Sequence, residues 1–496
     1  MKKKEKDLQE SKALTVKKEK KSGLGKILRK TSLTVLLILI ILAVCIGINI
    51  FVEEKNIADF DFTEDKIYSL SDMSKQIAEE VEDEVEIILV NMPEAQQDFA
   101  YKYNSVNDKI TVEVIDDVTT RPDLTDEYGI SANTYAIIVK SGEKNKILYS
   151  SDLYTYDYTT YQQKDITEEA LTNAILDVTT DEKPVIYFLT GHNKYPIELF
   201  YSFTQDLADE AYEINELDLL TTGEVPEDCS TLMITSLAED ITEAERDALL
   251  DYVNKGGNII LFSDPNTTGK EMTNFQKVLD EYGVSISEGV MMEQDSSRML
   301  LDTPSAMLVT VSPYSSVTRE TNMNMNACFM TSGRIDIEDS EKLEELGVEV
   351  ETLASTSSES FYRTDYTLEN MSKTSSDEDA GNATVGALLK KKINDDTTSE
   401  LIVYSNNIFI TDYQIAISAV YAQYALDFYN NEDLALNSIA YLTDRENMIT
   451  IRKNVETTIY TVTQQQHIII LSVIFAIPVL IIIIGIVVWL VRRRKK

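Results

Sequence analysis

Residues 183–265 alternate short apolar runs with amphipathic patterns, and this stretch sets the expected fold. Runs rich in β-branched and aromatic residues cover residues 185–189, 232–234 and 259–262. Between them, apolar residues recur at helical spacing over residues 197–209 and 241–254. Runs that are apolar on both faces need helices on both sides, so the pattern predicts interior strands of a largely parallel α/β sheet. Gly256-Gly257 fits a left-handed end for the second helix.

The preceding residues, 53–180, are also mixed α/β in pattern. Ser71 is a candidate N-cap for a helix, and strand patterns cover residues 85–90, 110–115 and 136–139. This order of elements is similar to that of a thioredoxin-like domain. The chain contains no C-x-x-C motif, so the resemblance implies a scaffold without redox chemistry.

Beyond Pro265 the pattern is less regular, and we assign residues 181–455 to one α/β domain. Residues 354–384 are rich in Ser, Thr and acidic residues, which predicts a mobile loop. Further elements are predicted as a helix over 275–282, strands over 307–311, 327–330 and 401–404, a helix over 433–442 and a last strand over 448–451.

Two apolar segments do not belong to a soluble core. Residues 33–52 contain 20 residues interrupted only by Thr34 and Asn49, and residues 468–491 contain 24 with Pro478 near the middle. About 20 helical residues cross a hydrocarbon core of about 30 Å. Both segments are therefore predicted membrane helices. A cleaved signal peptide is the competing interpretation of the first, but its apolar run is long and no A-x-A-like site follows it.

The flanking charges predict the orientation. Residues 1–32 form a basic tail with 12 Lys or Arg against 4 Asp or Glu, and residues 492–496 add five basic residues. Both termini are therefore predicted to be cytoplasmic, in a two-pass plasma-membrane protein. The 415 residues from 53 to 467 keep 28 basic and 80 acidic residues, a net charge of −52. Such an extracytoplasmic domain should repel nucleic acid and anionic lipid headgroups.

The residue inventory excludes several kinds of chemistry. His192 and His467 are the two histidines, so no H-E-x-x-H zinc motif exists, and no G-x-S-x-G elbow or phosphate-binding loop occurs. We predict no metal site and no cofactor. Cys229 and Cys328 lie outside the membrane segments. One disulfide between them is left open by the sequence.

The candidate site lies at the predicted carboxyl edge of the sheet, where α/β folds usually bind ligands. The residues that follow the three predicted strands there are Thr190, Gly191, His192, Asn193, Ser236, Ser263 and Asp264. A pair formed by His192 and Asp264 would suit acid/base chemistry or ligand contact. The alternative is that His192 caps a helix or bonds a loop, and no nucleophile is evident beside it.

Four motifs give the chain a family resemblance. They are DFTEDKIYSLSDMSKQI over residues 61–77, TGH over 190–192, ITEAERDALLDYVNKGGNIILFSDP over 241–265 and NSIAYLTDRENMITIR over 437–452. In this order, between two membrane segments, they resemble the GldG-type auxiliary components of ABC transporters, a family named for gliding motility. The resemblance covers residues 30–496.

The resemblance implies a fold and a set of partners. Such domains are similar to class I glutamine-amidotransferase-like, or flavodoxin-like, α/β folds, but this chain has no nucleophile-elbow cysteine, since Cys229 precedes the second strand. The family implies a non-catalytic accessory subunit, or a substrate-binding one, beside a permease and a cytoplasmic ATPase from other chains. A cell-surface hydrolase using His192 and Asp264, and a structural or sensory ectodomain, are the alternatives.

Overall fold

The computed structural model describes residues 69–445, except 158–161, 181–182, 268, 319–325, 366–370 and 419–420. From Ser71 onward the described residues belong to one compact unit. Both predicted membrane segments, both basic tails and the predicted strand over 448–451 lie outside the described residues. Within the described ranges, no helix is long and apolar enough to cross a membrane.

The helices of the described part of the chain have the following bounds: α1 Asp72–Glu80, α2 Glu94–Val106, α3 Pro122–Tyr128, α4 Thr167–Thr179, α5 Tyr201–Asp209, α6 Leu219–Thr222, α7 Glu243–Asn254, α8 Thr273–Asp280, α9 Ser340–Leu346 and α10 Asn431–Leu442. Ser71 caps α1 as predicted, because its side chain accepts a hydrogen bond from the Ser74 amide. The helix predicted over 197–209 begins as a 3-10 turn, Ile197–Phe200, before it becomes α5.

The strands have these bounds: β1 Val85–Val90, β2 Ile110–Ile115, β3 Ala136–Ser141, β4 Lys144–Tyr149, β5 Tyr154–Asp157, β6 Gln162–Asp165, β7 Val185–Leu189, β8 Glu213–Leu217, β9 Cys229–Thr235, β10 Ile259–Phe262, β11 Val284–Ile286, β12 Val290–Met292, β13 Met299–Leu300, β14 Thr303–Val311, β15 Asn326–Met330, β16 Ile335–Ile337, β17 Val348–Ser355, β18 Phe361–Arg363, β19 Glu378–Asp379, β20 Thr384–Lys392, β21 Thr398–Tyr404, β22 Gln414–Ser418 and β23 Tyr421–Tyr424. The predicted strands over 185–189 and 259–262 match β7 and β10, and α7 begins two residues later than the predicted helix because Thr242 caps it.

A four-stranded sheet with the order β2-β1-β3-β4 occupies the first part of the unit. Strand β1 pairs parallel with β2 and antiparallel with β3. Its central position explains why five of its six residues are buried. Helices α1, α2 and α4 contact one another, and α4 also contacts β3 and β4.

The larger sheet has ten strands in the order β13-β14-β17-β20-β21-β10-β9-β7-β8, with β15 beside β14. Strands β21, β10, β9, β7 and β8 are parallel neighbours, as the predicted βαβ rhythm requires. The other half is antiparallel, so the predicted largely parallel sheet is corrected to a mixed one. The antiparallel strands come from the less regular sequence after Pro265, where β14 follows β13 and β21 follows β20 without an intervening helix.

Alternate residues of the central strands enter two different cores. Ile260 and Phe262 belong to the core on one face, which includes residues of α5 and α10. Ile259 and Leu261 belong to the core on the other face, which includes residues of α7 and α8. Burial on both faces explains why this strand is a continuous apolar run instead of an alternating one.

The sharp end of α7 depends on its two glycines. The Gly256 amide donates to the Val253 carbonyl and the Gly257 amide to the Tyr252 carbonyl, both at 2.9 Å, which is a Schellman motif. Gly256 has a φ of +90°, a left-handed conformation that suits glycine. A β-carbon on Gly257 would lie 2.4 Å from the Tyr252 ring. The predicted Gly-Gly C-cap is therefore confirmed.

The segment predicted as a mobile loop, residues 354–384, contains more secondary structure than its composition indicates. Its described residues include β18 and β19, which pair with each other, while β18 also pairs with β12. An ion pair between Arg363 and Asp377 is buried there, with 5% and 3% of the side chains exposed. Polar composition alone does not predict a mobile loop here, because polar side chains of this segment bond to one another.

Candidate functional site

The carboxyl ends of four parallel strands meet at one edge of the ten-stranded sheet. The residues after β7, β9, β10 and β21 come together there, as expected for parallel neighbours. The loop after β7 runs beside the loop after β9, because the Lys194 amide donates to the Ser236 carbonyl and the Ala238 amide to the His192 carbonyl, both at 2.7 Å. The predicted gathering of these loops is observed.

Asp264, which follows β10, has the most hydrogen bonds in this group. Its Oδ2 accepts from Lys194 Nζ at 2.8 Å and from the Tyr195 hydroxyl at 2.6 Å. Its Oδ1 accepts from the Asn407 amide at 3.0 Å, and its own amide donates to Ser236 Oγ at 2.7 Å. Burial, followed by the charge of Asp264, raises the pKa of Tyr195 far above its usual range. Asp264 therefore joins the ends of β7, β9, β10 and β21.

His192 contacts a glutamate and not Asp264. Its Nε2 lies 3.0 and 3.1 Å from the two carboxylate oxygens of Glu245, a residue that is 2% exposed. Glu245 also accepts from the Thr242 amide at 2.8 Å, within the capping box that begins α7. The predicted His192–Asp264 pair is thus wrong. The two loops run antiparallel at Asn193 and Leu237, and this carries the imidazole to the N-terminus of α7.

The other predicted site residues mainly close the loops. Thr190 donates its amide to the Leu217 carbonyl at 2.8 Å. The Asn193 Nδ2 donates to the Leu189 carbonyl and to Thr235 Oγ1, both at 2.9 Å. Gly191 has a φ of +104°, where a side chain would be strained. Ser263 donates its amide to the Tyr404 carbonyl at 2.9 Å.

Sequence reasoning missed Lys194, Tyr195, Glu245 and Asn407. Lys194 and Tyr195 directly follow the predicted TGHN turn, so a longer view of that loop would have included them. Asn407 follows β21, which pairs with β10. It lies 143 positions after Asp264 in the sequence, so no local pattern links the two residues. The position of Glu245 at a helix N-terminus could have been predicted, because Thr242 and Glu245 have the T-x-x-E spacing of a capping box.

The site offers hydrogen bonding and charge, without an activated nucleophile among the described cysteines. Cys229 and Cys328 are free thiols, so the disulfide that the sequence left open is not formed. Burial raises the pKa of Cys229 to about 11 and that of Cys328 to about 12, which keeps both thiols protonated at neutral pH. Among the described residues, no group of three or more His, Cys, Asp or Glu side chains could hold a metal ion.

Among the described residues, two buried polar atoms at this edge have no hydrogen-bond partner. They are Asn407 Nδ2 and His192 Nδ1, and the latter lies 3.8 Å from Glu239 Oε1. Lys194 is 39% exposed, against 5% for the Asp264 side chain. A ligand that approaches Asp264 would therefore meet the lysine ammonium before the carboxylate.

We expect His192→Ala to lower the free energy of unfolding by about 1–3 kcal/mol, because it leaves the buried Glu245 without its imidazole donor. The measurement is denaturant unfolding of the full-length protein in detergent. Glu239→Ala is the matched control. Its carboxylate lies beside the same ring but is 70% exposed, so it should cost less than about 1 kcal/mol. Equal losses for the two variants would contradict the bridging role of His192.

The fold and the site together define a mixed α/β domain with a polar carboxyl edge whose side chains bond largely to one another. The chain belongs to the family described as ABC-type uncharacterized transport system, whose model matches residues 183–438. No curated protein matches it. A solved structure described as the mmIFT52 N-terminal domain is similar, with 17% sequence identity and a TM-score of 0.39, and the match covers 52% of this chain and 97% of that one. A likeness this distant carries no functional information.

Proposed function

We propose that this protein is a membrane-anchored, non-catalytic accessory subunit of the GldG type, working beside a multi-span permease and a cytoplasmic ATPase. The observation that carries the proposal is the family match over residues 183–438. In this proposal, a thioredoxin-like domain without C-x-x-C precedes an amidotransferase-like domain outside the plasma membrane. Helices at 33–52 and 468–491 anchor both, with both termini in the cytoplasm.

The start of the compact unit supports a mechanical role, because the chain is firmly held there. The Ser71 amide donates to Glu168 Oε1 at 2.6 Å, and the Ser74 hydroxyl donates to the same oxygen at 2.7 Å. The Ser74 hydroxyl also lies 2.9 Å from Thr172 Oγ1, which in turn lies 2.6 Å from the hydroxyl of the fully buried Tyr103. These contacts join the segment that follows the first predicted anchor to α2 and α4.

The other end of the described chain is held in a similar way. At the end of α10, the Leu442 carbonyl accepts from Asn258 Nδ2 at 3.0 Å. Arg445 Nη1 donates to the Glu210 carbonyl at 3.0 Å, and its guanidinium lies 4.8 Å from the centre of the Tyr212 ring. Both ends of the described chain are therefore fixed to the folded domain, as we expect of a subunit that couples mechanically to a permease.

The geometry gives the hydrolase alternative no support. A hydrolase using His192 and Asp264 needs the two side chains to act on one substrate, but His192 bonds to Glu245 and Asp264 to Lys194 and Tyr195. The nearby Ser236 hydroxyl accepts from the Asp264 amide and has no described contact with the imidazole. An accessory role explains these internally satisfied contacts better than acid/base catalysis does.

The test is a mild-detergent pull-down of tagged full-length protein from its native membrane, followed by mass spectrometry. We expect a multi-span permease and an ABC-type ATPase to be recovered with it, because an auxiliary subunit acts only within its transport system. A tagged, unrelated two-span protein of the same membrane is the control. Recovery of the protein alone, in detergent that keeps other membrane complexes intact, would contradict the proposal.

A further inference from the structure

The hairpin formed by β22 and β23 stands apart from the large sheet. Within the described residues, these strands pair only with each other, with Gln414 opposite Tyr424 and Ala416 opposite Ala422. The pairing continues at the base, where the Ala425 amide donates to the Tyr413 carbonyl at 2.9 Å. A two-stranded sheet has two open edges, and alone it is marginally stable in water.

One face of this hairpin is exposed. Gln414, Ala416, Ala422 and Tyr424 are exposed on it, and we call these four residues the hairpin face. The opposite face carries Ile415, which is half-buried, and its partner Gln423, which is buried. Alternation along the strands explains the difference. The small side chains of Ala416 and Ala422 leave room on this face for the side chains of a neighbouring segment.

Exposed tyrosines surround the base of the hairpin. Tyr413 is 54% exposed, and Tyr201 at the start of α5 is 62% exposed. The two lie in neighbouring segments, because the Ser202 amide donates to Asp412 Oδ2 at 3.2 Å. Tyrosine is enriched at protein interfaces, since it buries a large apolar area and offers a hydroxyl.

The hairpin lacks the usual protection of open strand edges. Residues 413–426 contain no charged residue, no Gly and no Pro, although 26% of the chain is charged. Two outer strands of the larger sheets do carry exposed charges, Glu213 and Glu216 on β8 and Lys144 on β4. Proteins commonly place charges or Pro on edges that must stay unpaired. An exposed hairpin without such protection is expected to be covered by another chain in the assembly.

We propose that an edge of the hairpin binds an extended, basic segment from an extracytoplasmic loop of the transport system's membrane subunit, which adds as a strand and packs its side chains beside the hairpin face. The inference rests on the proposed function. Strand addition uses main-chain hydrogen bonds for affinity and neighbouring side chains for specificity. Asp412 and Asp427 bound the uncharged stretch, within a segment whose net charge is −52. This charge disfavours a second copy and favours a basic partner.

The first test places a photo-crosslinking amino acid at Ala416 or Ala422 of the full-length protein in its native membrane. The matched control is Asn145, an exposed residue on the charged edge strand β4. We expect both hairpin positions, and not Asn145, to cross-link to the multi-span subunit, identified by mass spectrometry. A cross-link to a second copy of this chain, or none in membranes where the complex is intact, would overturn the inference.

The second test adds a protecting charge. Ala416→Lys and Ala422→Lys place a cation on the hairpin face, and we expect each to lower recovery of the membrane subunit by about tenfold, against little change for Asn145→Lys. Unchanged thermal unfolding shows that the variants fold. If wild type recovers the transporter and the lysine variants recover as much, the inference fails and the proposed function stands. If wild type recovers no transporter component, both fail.

Discussion

Replacing Phe409 with alanine should lower the free energy of unfolding by about 3–5 kcal/mol, which is typical for removing a fully buried phenylalanine. Phe409 is 0% exposed, and its ring centre lies 4.6 Å from that of Phe329, 5.4 Å from that of Tyr404 and 5.6 Å from that of Phe262. These rings come from three different strands, so no single side chain can move to fill the space. Denaturant unfolding of the full-length protein in detergent measures the loss.

The same substitution should also loosen the candidate site. Phe409 lies in the short 3-10 turn Ile408–Ile410, directly after Asn407, whose amide donates to Asp264. Phe409→Leu keeps much of the volume and should cost less than half as much. Tyr314→Ala is the surface control, because Tyr314 is 88% exposed, and it should change stability by less than about 0.5 kcal/mol. A loss at Phe409 no larger than at Tyr314 would contradict the described core.

The elements around this core show which parts of the fold the sequence could predict. The predicted strands over 185–189 and 259–262 are confirmed as β7 and β10, because their residues are apolar on both faces. The end of α7 at Gly256-Gly257 is confirmed because a left-handed cap has a local signature. In contrast, β17 and β20 form an antiparallel pair across the segment 356–383. The local pattern of this segment gives no information about which distant strands pair.

The candidate site shows the same division between local and distant information. The sequence placed His192 and Asp264 at one sheet edge, because each directly follows a recognisable parallel strand. Their actual partners depend on loop paths, since His192 reaches Glu245 on α7, and Asp264 reaches Asn407 across 143 positions. Local patterns predict which residues follow a strand, but a hydrogen bond between loops also requires the path of each loop.

We expect Arg363→Met to lower the free energy of unfolding by about 3 kcal/mol, because it leaves the carboxylate of Asp377 buried without its partner. The pair is bidentate, with Nε to Oδ1 at 2.8 Å and Nη2 to Oδ2 at 2.6 Å. The double variant Arg363→Met, Asp377→Leu should recover part of that loss, because no buried charge remains. Lys342→Met breaks an exposed pair with Glu345 and should cost less than about 1 kcal/mol.

The ionisation of Asp377 should make the free energy of unfolding depend on pH. Hydrogen bonds from Arg363 and from the Thr374 amide lower the pKa of Asp377 well below its usual range. Because the folded pKa is the lower one, the stabilisation is complete above the unfolded value of about 3.9 and is lost as the pH falls through the folded value. The stability difference between wild type and Asp377→Asn should therefore narrow by about 1 kcal/mol between pH 6 and pH 3. Both proteins share every other carboxylate, so a constant difference would show that Asp377 is not held ionised by Arg363.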